Sequence, residues 1–143
     1  MISKSVEETG KIARGMAASL KAQSASATVL ALSGDLGSGK TTFTKAFAAA
    51  YGVPEDDITS PTFVIMKGYD VDKNGFKKLI HIDAYRLEKP EEAEQIGWKA
   101  LIADPNNLIL VEWPEKLGDF LPKAAKNISF RFVDDVTRRV DFQ

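Results

Sequence analysis

Three glycines stand within six residues, directly before a lysine and two threonines. Residues 34–41, GDLGSGKT, match the pattern G-x-x-x-x-G-K-[ST] in full. A loop that wraps a nucleotide triphosphate turns its backbone N–H groups inward, and this needs φ angles that glycine adopts without steric strain. A helix starting near Gly39 would add unpaired N–H groups and the positive end of its dipole. The sequence therefore predicts a phosphate-binding loop, or P-loop.

The pattern gives each position of this loop an expected role. We expect the phosphates to be bound by the loop residues Asp35, Leu36, Gly37, Ser38 and Gly39. Lys40 can reach the β- and γ-phosphates, the Thr41 hydroxyl can ligate Mg²⁺, and Thr42 can bond the α-phosphate. The alternative is a glycine-rich turn that only caps a helix. The strand-like TVLALS before the loop and the helix-like TTFTKAFAAAYG after it favour the phosphate site.

A magnesium ion held by one hydroxyl and two phosphates still needs a carboxylate, usually at the tip of an apolar strand beside the first. Asp83 ends the segment KKLIHID, and Glu112 ends LILVE. Either could instead be an exposed strand-end acid without a role. Because the run before Glu112 is more uniformly apolar, we favour Glu112 as the direct or water-mediated magnesium ligand. Asp83 would then orient the attacking water or support the ligands, and both acids join Lys40 as candidate catalytic residues.

Four further features have two interpretations each. Residues 59–62, TSPT, form either a connecting turn or a switch loop whose Thr62 hydroxyl senses the γ-phosphate or its metal. His81, the only histidine, shares a strand face with the first acid, and a structural role is the commoner one for such a residue. Trp98 and Trp113 are core or interface aromatics, and Trp113 follows the second acid directly, where it could contact nucleotide or a partner.

Helical periodicity predicts three helices. The first covers about residues 5–22 and opens on the capping-box pattern at Ser5. The second follows the glycines and ends at Gly52. The third is opened by Pro90 and runs through EEAEQIGWKALI. Its apolar face would contain Ala93, Ile96, Gly97, Ala100 and Leu101.

Apolar, β-branched runs predict strands at Thr28–Leu32, Phe63–Tyr69, Lys77–Asp83 and Leu108–Glu112. The Asn-Gly pair in DVDKNG predicts an antiparallel hairpin between the second and third of these strands. The fourth suits a central strand. Residues 127–142 form a second predicted hairpin, with Ile128, Phe130 and Phe132 alternating inward. We therefore expect one α/β domain over residues 1–143.

Composition excludes several classes of function. The chain has 143 residues, 44% of them hydrophobic and 27% charged, a formal net charge of −1 and no cysteine. Disulfides and thiolate metal ligands within it are excluded, and no global field favours nucleic acid or an anionic membrane. The N-terminal MISKSVEETGK lacks the apolar core of a signal peptide, and no apolar run approaches membrane-spanning length. The expectation is a cytoplasmic protein without membrane contact.

Taken together, these motifs resemble one family. GDLGSGKTTFTKAF, SPTF, HIDAYRL, PEEAEQIG and LVEWPEKL followed by LP occur in the order and spacing of the TsaE (YjeE-type) family. The resemblance covers about residues 7–141, and HIDAYR with LVEWP makes it far more specific than the P-loop alone. It implies a three-layer P-loop NTPase-like fold with a mixed sheet and two β-hairpins. It also implies an ATPase that binds ATP and Mg²⁺, hydrolyses ATP slowly, and assists a TsaD–TsaB pair in forming threonylcarbamoyladenosine in tRNA.

The resemblance also implies roles for particular residues. Thr41 with Glu112 resembles the family's metal pair, Asp83 matches its acid in the D-x-Y-R segment, and residues 60–62 match its switch-like loop. Thr9 and an arginine of the C-terminal hairpin resemble contacts at the edge of the nucleotide. That arginine is Arg138 or Arg139, and Arg138 is preferred.

Three other functions compete on the same scaffold. A small-molecule kinase usually needs an arginine-rich lid, and residues 84–107 contain no such segment. A GTP-dependent switch would carry an Asn-Lys-x-Asp element, which none of the asparagines begins. A pure binding module differs from a slow ATPase only in turnover. Because the net charge is nearly neutral, tRNA would be reached through partners rather than bound tightly alone.

Overall fold

A mixed sheet of seven strands organises the part of the chain that the structure describes. The structure, a computed structural model, describes residues 1–35, 38–54 and 66–142. In chain order the elements are β1 (Ile2–Ser3), α1 (Val6–Ser19), β2 (Thr28–Ser33), α2 (Lys40–Ala50), β3 (Met66–Lys73), β4 (Phe76–Asp83), α3 (Trp98–Ala103), β5 (Asn107–Glu112), β6 (Lys126–Phe132) and β7 (Arg138–Phe142). Two 3₁₀ helices, Pro90–Ile96 and Pro114–Phe120, flank α3 and β5. The strand order is β1-β7-β6-β2-β5-β4-β3.

Four parallel strands form the middle of the sheet. β6, β2, β5 and β4 run parallel, and every residue of β5 is buried. β3 pairs antiparallel with β4, while β7 pairs antiparallel with both β6 and β1. The predicted mixed sheet, its two hairpins and the interior position of β5 are confirmed. Residues 63–65 of the first predicted hairpin lie outside the described residues.

Helices cover both faces of the sheet and make three layers. α1 and α2 pack on one face, over a core that includes Leu30, Phe43 and Leu110. α3 and the two 3₁₀ helices pack on the other face, over a core that includes Trp98 and Val111. The layered α/β architecture is the predicted one, and it leaves the carboxyl ends of β2, β4 and β5 at a common edge. No helix among the described residues is long and apolar enough to cross a membrane.

Two predicted glycine signals occupy the positions assigned to them. Gly52 follows α2 with φ of 88°, and its N–H donates to a carbonyl of the last helical turn. Asn74 and Gly75 both have positive φ, as a type I′ hairpin turn requires. All three residues adopt positive φ angles, which glycine and asparagine tolerate better than other residues, and this explains why these residue types occur there.

The first helix begins as predicted and ends three residues early. Ser5 Oγ accepts the N–H of Glu8 at 3.1 Å, which caps the helix. The helix ends at Ser19 rather than 22, because the following residues run extended to the β3–β4 turn. There the N–H of Ala22 donates to the Asn74 carbonyl at 2.9 Å. A tertiary hydrogen bond thus replaces the last helical turn.

The third predicted helix is in fact two helices, a 3₁₀ helix and α3. The prediction of one continuous apolar face along this segment is therefore wrong. Gly97 adopts the left-handed conformation, with φ of 77°, between the 3₁₀ helix and α3. This break turns Trp98 into the core, where its indole N–H donates to the Phe120 carbonyl at 2.8 Å. Ala100, predicted to face inward, is exposed. Burying the indole determines the orientation of this segment more strongly than the helical periodicity does.

Phe132 is also misplaced by the predicted alternation. Ile128 and Phe130 are buried as predicted, but Phe132 is 51% exposed. β2 pairs with β6 only as far as Ser129, so Phe132 lies where the hairpin extends beyond its neighbour. The Arg138 guanidinium covers one side of its ring at 4.7 Å. Alternation gives the face of a strand, and the length of the neighbouring strand decides whether that face is covered.

Candidate active site

The loop after β2 begins where it crosses β6. Gly34 has φ of 145°, and a Cβ atom there would overlap the carbonyl oxygen of Phe130. Glycine is therefore required at this crossing. Further along the loop, the N–H of Ser38 donates to the Asp35 carbonyl at 3.1 Å. The close approach to β6 fixes the direction in which the loop leaves the sheet.

The second helix begins without a side-chain cap. The residue before its first turn is Gly39, which has φ of 102° and no side chain that could cap the helix. The Ser38 hydroxyl is buried and has no hydrogen-bond partner among the described residues. Thr41 is exposed and Thr42 partly exposed on the first turn. Because the first N–H groups of a helix lack intrahelical partners, this end can accept an anionic ligand.

Lys40 lies inside the site rather than in solvent. It is buried, its ammonium donates to the Gly34 carbonyl, and its Nζ lies 4.1 Å from the centre of the Trp113 ring. Burial lowers the pKa of Lys40, while the carboxylates of Glu112 and Asp83 oppose that shift. The site therefore combines a desolvated cation with two nearby acids.

The two predicted acids are neighbours across a parallel ladder. β4 and β5 pair in a register that places Asp83 beside Glu112. Asp83 is half-buried, and its Oδ1 accepts the N–H of Tyr85 at 2.9 Å. Burial raises the pKa of the Asp83 carboxyl, the Tyr85 N–H opposes this, and the charge of Glu112 adds to it. Glu112 is the more deeply buried of the two acids.

The aromatic residues beside the acids have an unusual backbone. Trp113 has φ of 58°, a conformation that a bulky residue rarely adopts and that is further disfavoured before Pro114. This backbone lets its indole lie over Lys40 while its other neighbour, the Tyr85 ring, stands at 5.1 Å. Trp113 thus forms part of the site, whereas Trp98 belongs to the core.

A cleft of about 460 Å³ joins these groups. The predicted site residues that line it are Thr9, Gly39, Lys40, Thr41, Thr42, Asp83, Glu112 and Arg138. The structure thus brings together residues from α1, α2, β4, β5 and β7. The rim formed by Lys4, Val6 and Val136 was not predicted, since these residues belong to no nucleotide-binding motif and reach the cleft from the β1–α1 junction and the β6–β7 turn.

The two edge residues differ in how they are engaged. Thr9 is buried, and its hydroxyl is 2.7 Å from the Ser3 hydroxyl of β1. Arg138 lines the cleft, and its guanidinium donates to the Thr137 carbonyl at 3.1 Å. Arg139 instead binds Asp141 at 2.9 Å, away from the cleft. Of the two alternatives, only Arg138 is therefore in position to contact a cleft ligand.

Two predicted segments fall partly or wholly outside the described residues. Leu36 and Gly37 of the P-loop and residues 60–62 of the proposed switch loop lie outside the described residues. Arg86 in HIDAYR is the sequence's candidate for a built-in arginine finger, but it is exposed and is not among the described residues that line the cleft.

His81 is not among the described residues that line the cleft, but it contacts one of the two acids. Its Nε2 lies 2.6 Å from Glu112 Oε2, and both side chains are buried. The only sequence signal was its position two residues before Asp83, on the same strand face. Its link to Glu112 depends on β4 and β5 being neighbours in this register, which no local pattern gives.

Comparison with known proteins identifies the family. A sequence profile described as threonylcarbamoyl adenosine biosynthesis protein TsaE matches residues 3–140. The chain belongs to the TsaE family. This confirms the resemblance found in the motifs and associates the chain with a family of tRNA threonylcarbamoyladenosine biosynthesis.

Individual relatives of this TsaE-family chain agree. The tRNA threonylcarbamoyladenosine biosynthesis protein TsaE of Bacillus subtilis is 38% identical over 136 residues, covering 95% of this chain and 79% of that protein. The Rickettsia bellii protein of the same name is 34% identical, with 94% and 87% covered. The crystal structure of Bacillus subtilis YdiB aligns with a TM-score of 0.69 at 33% identity, covering 99% of this chain and 82% of that one. The fold is thus shared with a solved structure.

Replacing Asp83 by asparagine should stabilise the ligand-free protein at neutral pH. Because the folded pKa of Asp83 is raised, the folded state binds more protons than the unfolded state above the unfolded pKa of about 3.9. The free energy of unfolding therefore falls as the pH rises from about 3.9 to the raised folded pKa of Asp83, and it stays lower at higher pH. We expect Asp83→Asn to unfold at a higher temperature than wild type at pH 7, with the difference shrinking towards pH ~4.

Thermal unfolding followed by circular dichroism, with EDTA and without nucleotide, measures this difference. Asp119→Asn, which removes an exposed carboxylate on a 3₁₀ helix, controls for the change in net charge. If Asp83→Asn is less stable than wild type at pH 7, the fold favours the charged Asp83 carboxylate, and the expected direction of its pKa shift is wrong.

Proposed function

We propose that this TsaE-family protein binds ATP with Mg²⁺ in the cleft, hydrolyses ATP slowly, and assists a TsaD–TsaB pair in threonylcarbamoyladenosine modification of tRNA. One observation carries the proposal. The uncapped start of α2 and the Lys40 ammonium lie in one cleft with two carboxylates that end adjacent parallel strands. Oriented N–H groups and a lysine suit phosphates, and acids at strand ends suit the accompanying metal.

The donors in the cleft fit magnesium. The Thr41 hydroxyl and the carboxylates of Glu112 and Asp83 are hard oxygen ligands, which Mg²⁺ prefers. Among the described residues no group of three or more His, Cys, Asp or Glu side chains could hold a metal. Mg²⁺ bound here would thus take its remaining ligands from phosphates and water, as is usual for nucleotide sites. When bound, the metal would neutralise charge on the phosphates.

Each protein group then has a definable task. The loop and Lys40 bind the phosphates, Thr41 and Glu112 hold the metal, and Asp83 orients the attacking water. Thr9 and Arg138 border the cleft from α1 and β7, where the resemblance puts contacts to the nucleotide edge. Slow hydrolysis is expected because Arg138, the one arginine among the described residues that line the cleft, already donates to the Thr137 carbonyl at the β6–β7 turn. An arginine that a partner protein inserts beside the phosphates (an arginine finger) raises phosphoryl-transfer rates by about 10³–10⁵.

The role in tRNA modification follows from the family. The curated relatives carry the name tRNA threonylcarbamoyladenosine biosynthesis protein, and the chain matches them over most of its length. With a net charge of −1, the chain has no excess of cations for the many phosphate contacts that tight tRNA binding needs. We infer that tRNA is reached through TsaD and TsaB.

Lys40→Ala should weaken ATP binding by more than about tenfold, because a charge-assisted contact to the phosphates is lost. Calorimetric titration with Mg-ATP measures the affinity. Lys45→Ala removes the same charge from the same helix at a position that does not line the cleft, and should leave the affinity close to wild type. If wild type and Lys40→Ala bind Mg-ATP with equal affinity, the proposal that residues 34–41 bind its phosphates is wrong.

The two acids should give different phenotypes. Glu112→Gln should weaken the dependence of ATP affinity on Mg²⁺, because a metal ligand loses its charge. Asp83→Asn should leave the affinity largely intact and slow hydrolysis. Titrations with and without Mg²⁺, beside single-turnover assays, separate the two effects, and Asp104→Asn serves as an exposed control. The reverse pattern would mean that the roles are exchanged.

The isolated protein should be a poor ATPase whose turnover rises only with partners. Steady-state ATP hydrolysis of the protein alone is compared with a reconstituted mixture containing TsaD, TsaB and tRNA. Lys40→Ala in the same mixture accounts for any contaminating ATPase. Fast turnover by the protein alone, unchanged in the mixture, would contradict the accessory role and favour an independent ATPase or a small-molecule kinase.

A further inference from the structure

A short hydrogen bond joins two buried side chains of neighbouring strands. His81 Nε2 lies 2.6 Å from Glu112 Oε2, and the two side chains are only 5% and 9% exposed. His81 stands two residues before Asp83 on β4, so its side chain lies on the same sheet face as both acids. A glutamate has three side-chain torsions, and this bond restricts them. The Glu112 carboxylate, which lines the cleft, is thus held in place by His81, which does not line it.

We propose that His81 is a positioning residue that orients the Glu112 carboxylate towards a divalent cation, Mg²⁺, in the cleft. The inference rests on the proposed function, because it assumes that Glu112 is a metal ligand. One carboxylate oxygen accepts the hydrogen bond from His81, and the other keeps its lone pairs for a metal. Carboxylates that bind metals are themselves commonly held by such hydrogen bonds, and removing the partner typically weakens metal binding by about 10–100-fold.

The surroundings of the pair support an orienting role. Lys40 and Asp83 interact electrostatically with Glu112, but neither makes a hydrogen bond to it among the described contacts. Without His81 the Glu112 carboxylate would be buried beside a second acid, with no hydrogen bond among the described contacts to fix its torsions. His81 is thus the described group that fixes the orientation of this carboxylate.

Two polar replacements of different length test the proposal. A glutamine amide can place its nitrogen near the position of His81 Nε2, whereas an asparagine amide is too short to reach Glu112. ATP affinity of wild type, His81→Gln and His81→Asn is measured calorimetrically in EDTA and over a series of Mg²⁺ concentrations. We expect His81→Asn to need about 10–100-fold more Mg²⁺ for the same gain in ATP affinity. Its affinity in EDTA should match wild type, and His81→Gln should stay within about threefold of wild type throughout.

A double-mutant cycle separates positioning from a merely structural effect. If His81 acts through Glu112, His81→Asn should change the Mg²⁺ response in wild type and add nothing in Glu112→Gln. Leu79→Val perturbs the same face of β4 without removing a hydrogen bond, and should leave the Mg²⁺ response unchanged. Circular dichroism and urea unfolding establish that each variant is folded.

The outcomes distinguish the two proposals. Wild type that fails to bind ATP, or binds it without any Mg²⁺ effect, overturns the proposed function and the role of His81 together. Wild type with a Mg²⁺ effect that His81→Asn retains overturns only the role of His81. A folded His81→Gln protein that lost the Mg²⁺ effect would also overturn it, since that variant keeps the donor. Where His81→Asn is unfolded, this last comparison can still overturn the role of His81.

Discussion

The register of three parallel strands is the constraint on which the site depends. β2, β5 and β4 pair so that Leu32, Glu112 and Asp83 lie side by side at one edge of the sheet. A slip of β5 by one residue would turn Glu112 to the opposite face and move Val111 into its place. His81 would then lose its partner, and the Glu112 carboxylate would no longer lie on the cleft side, where it interacts with Lys40. Both faces of β5 are buried, so a slip would also require every side chain of that strand to pack against new neighbours.

The same register creates an electrostatic conflict that the neighbouring groups reduce. Two carboxylates at adjacent strand ends repel each other, and burial raises the pKa of Asp83. The His81 hydrogen bond to Glu112, the Tyr85 N–H to Asp83 and the Lys40 ammonium each stabilise negative charge at this edge. Burial of Lys40 opposes its own charge in turn. A cation held in this cleft would relieve the repulsion, so the features that make the edge unfavourable for the isolated chain are those that favour a metal.

Local patterns predicted the parts of this arrangement that depend on local chemistry. The glycines of residues 34–39, the strand before them and the helix after them follow one motif, whose spacing is set by the loop itself. The hairpin at Asn74 and Gly75 follows from the φ angles that its turn demands. What failed depended on distant neighbours. The exposure of Phe132 follows from where β2 ends, and the pairing of His81 with Glu112 follows from a register between strands 31 residues apart.

The Lys40 ammonium is not free to receive an anion, because it already has two partners within the protein. Its ammonium is engaged by the Gly34 carbonyl and the Trp113 ring, so contact with a β- or γ-phosphate would exchange these partners. A phosphate carries a full negative charge, whereas a carbonyl oxygen and an aromatic face present only partial charges, so a phosphate attracts the ammonium more strongly. The exchange is therefore favourable, and it would release the Trp113 indole. That ring is held in a strained backbone beside Tyr85 at the mouth of the cleft. Nucleotide binding and the conformation of the segment after Glu112 would thus be coupled through one lysine.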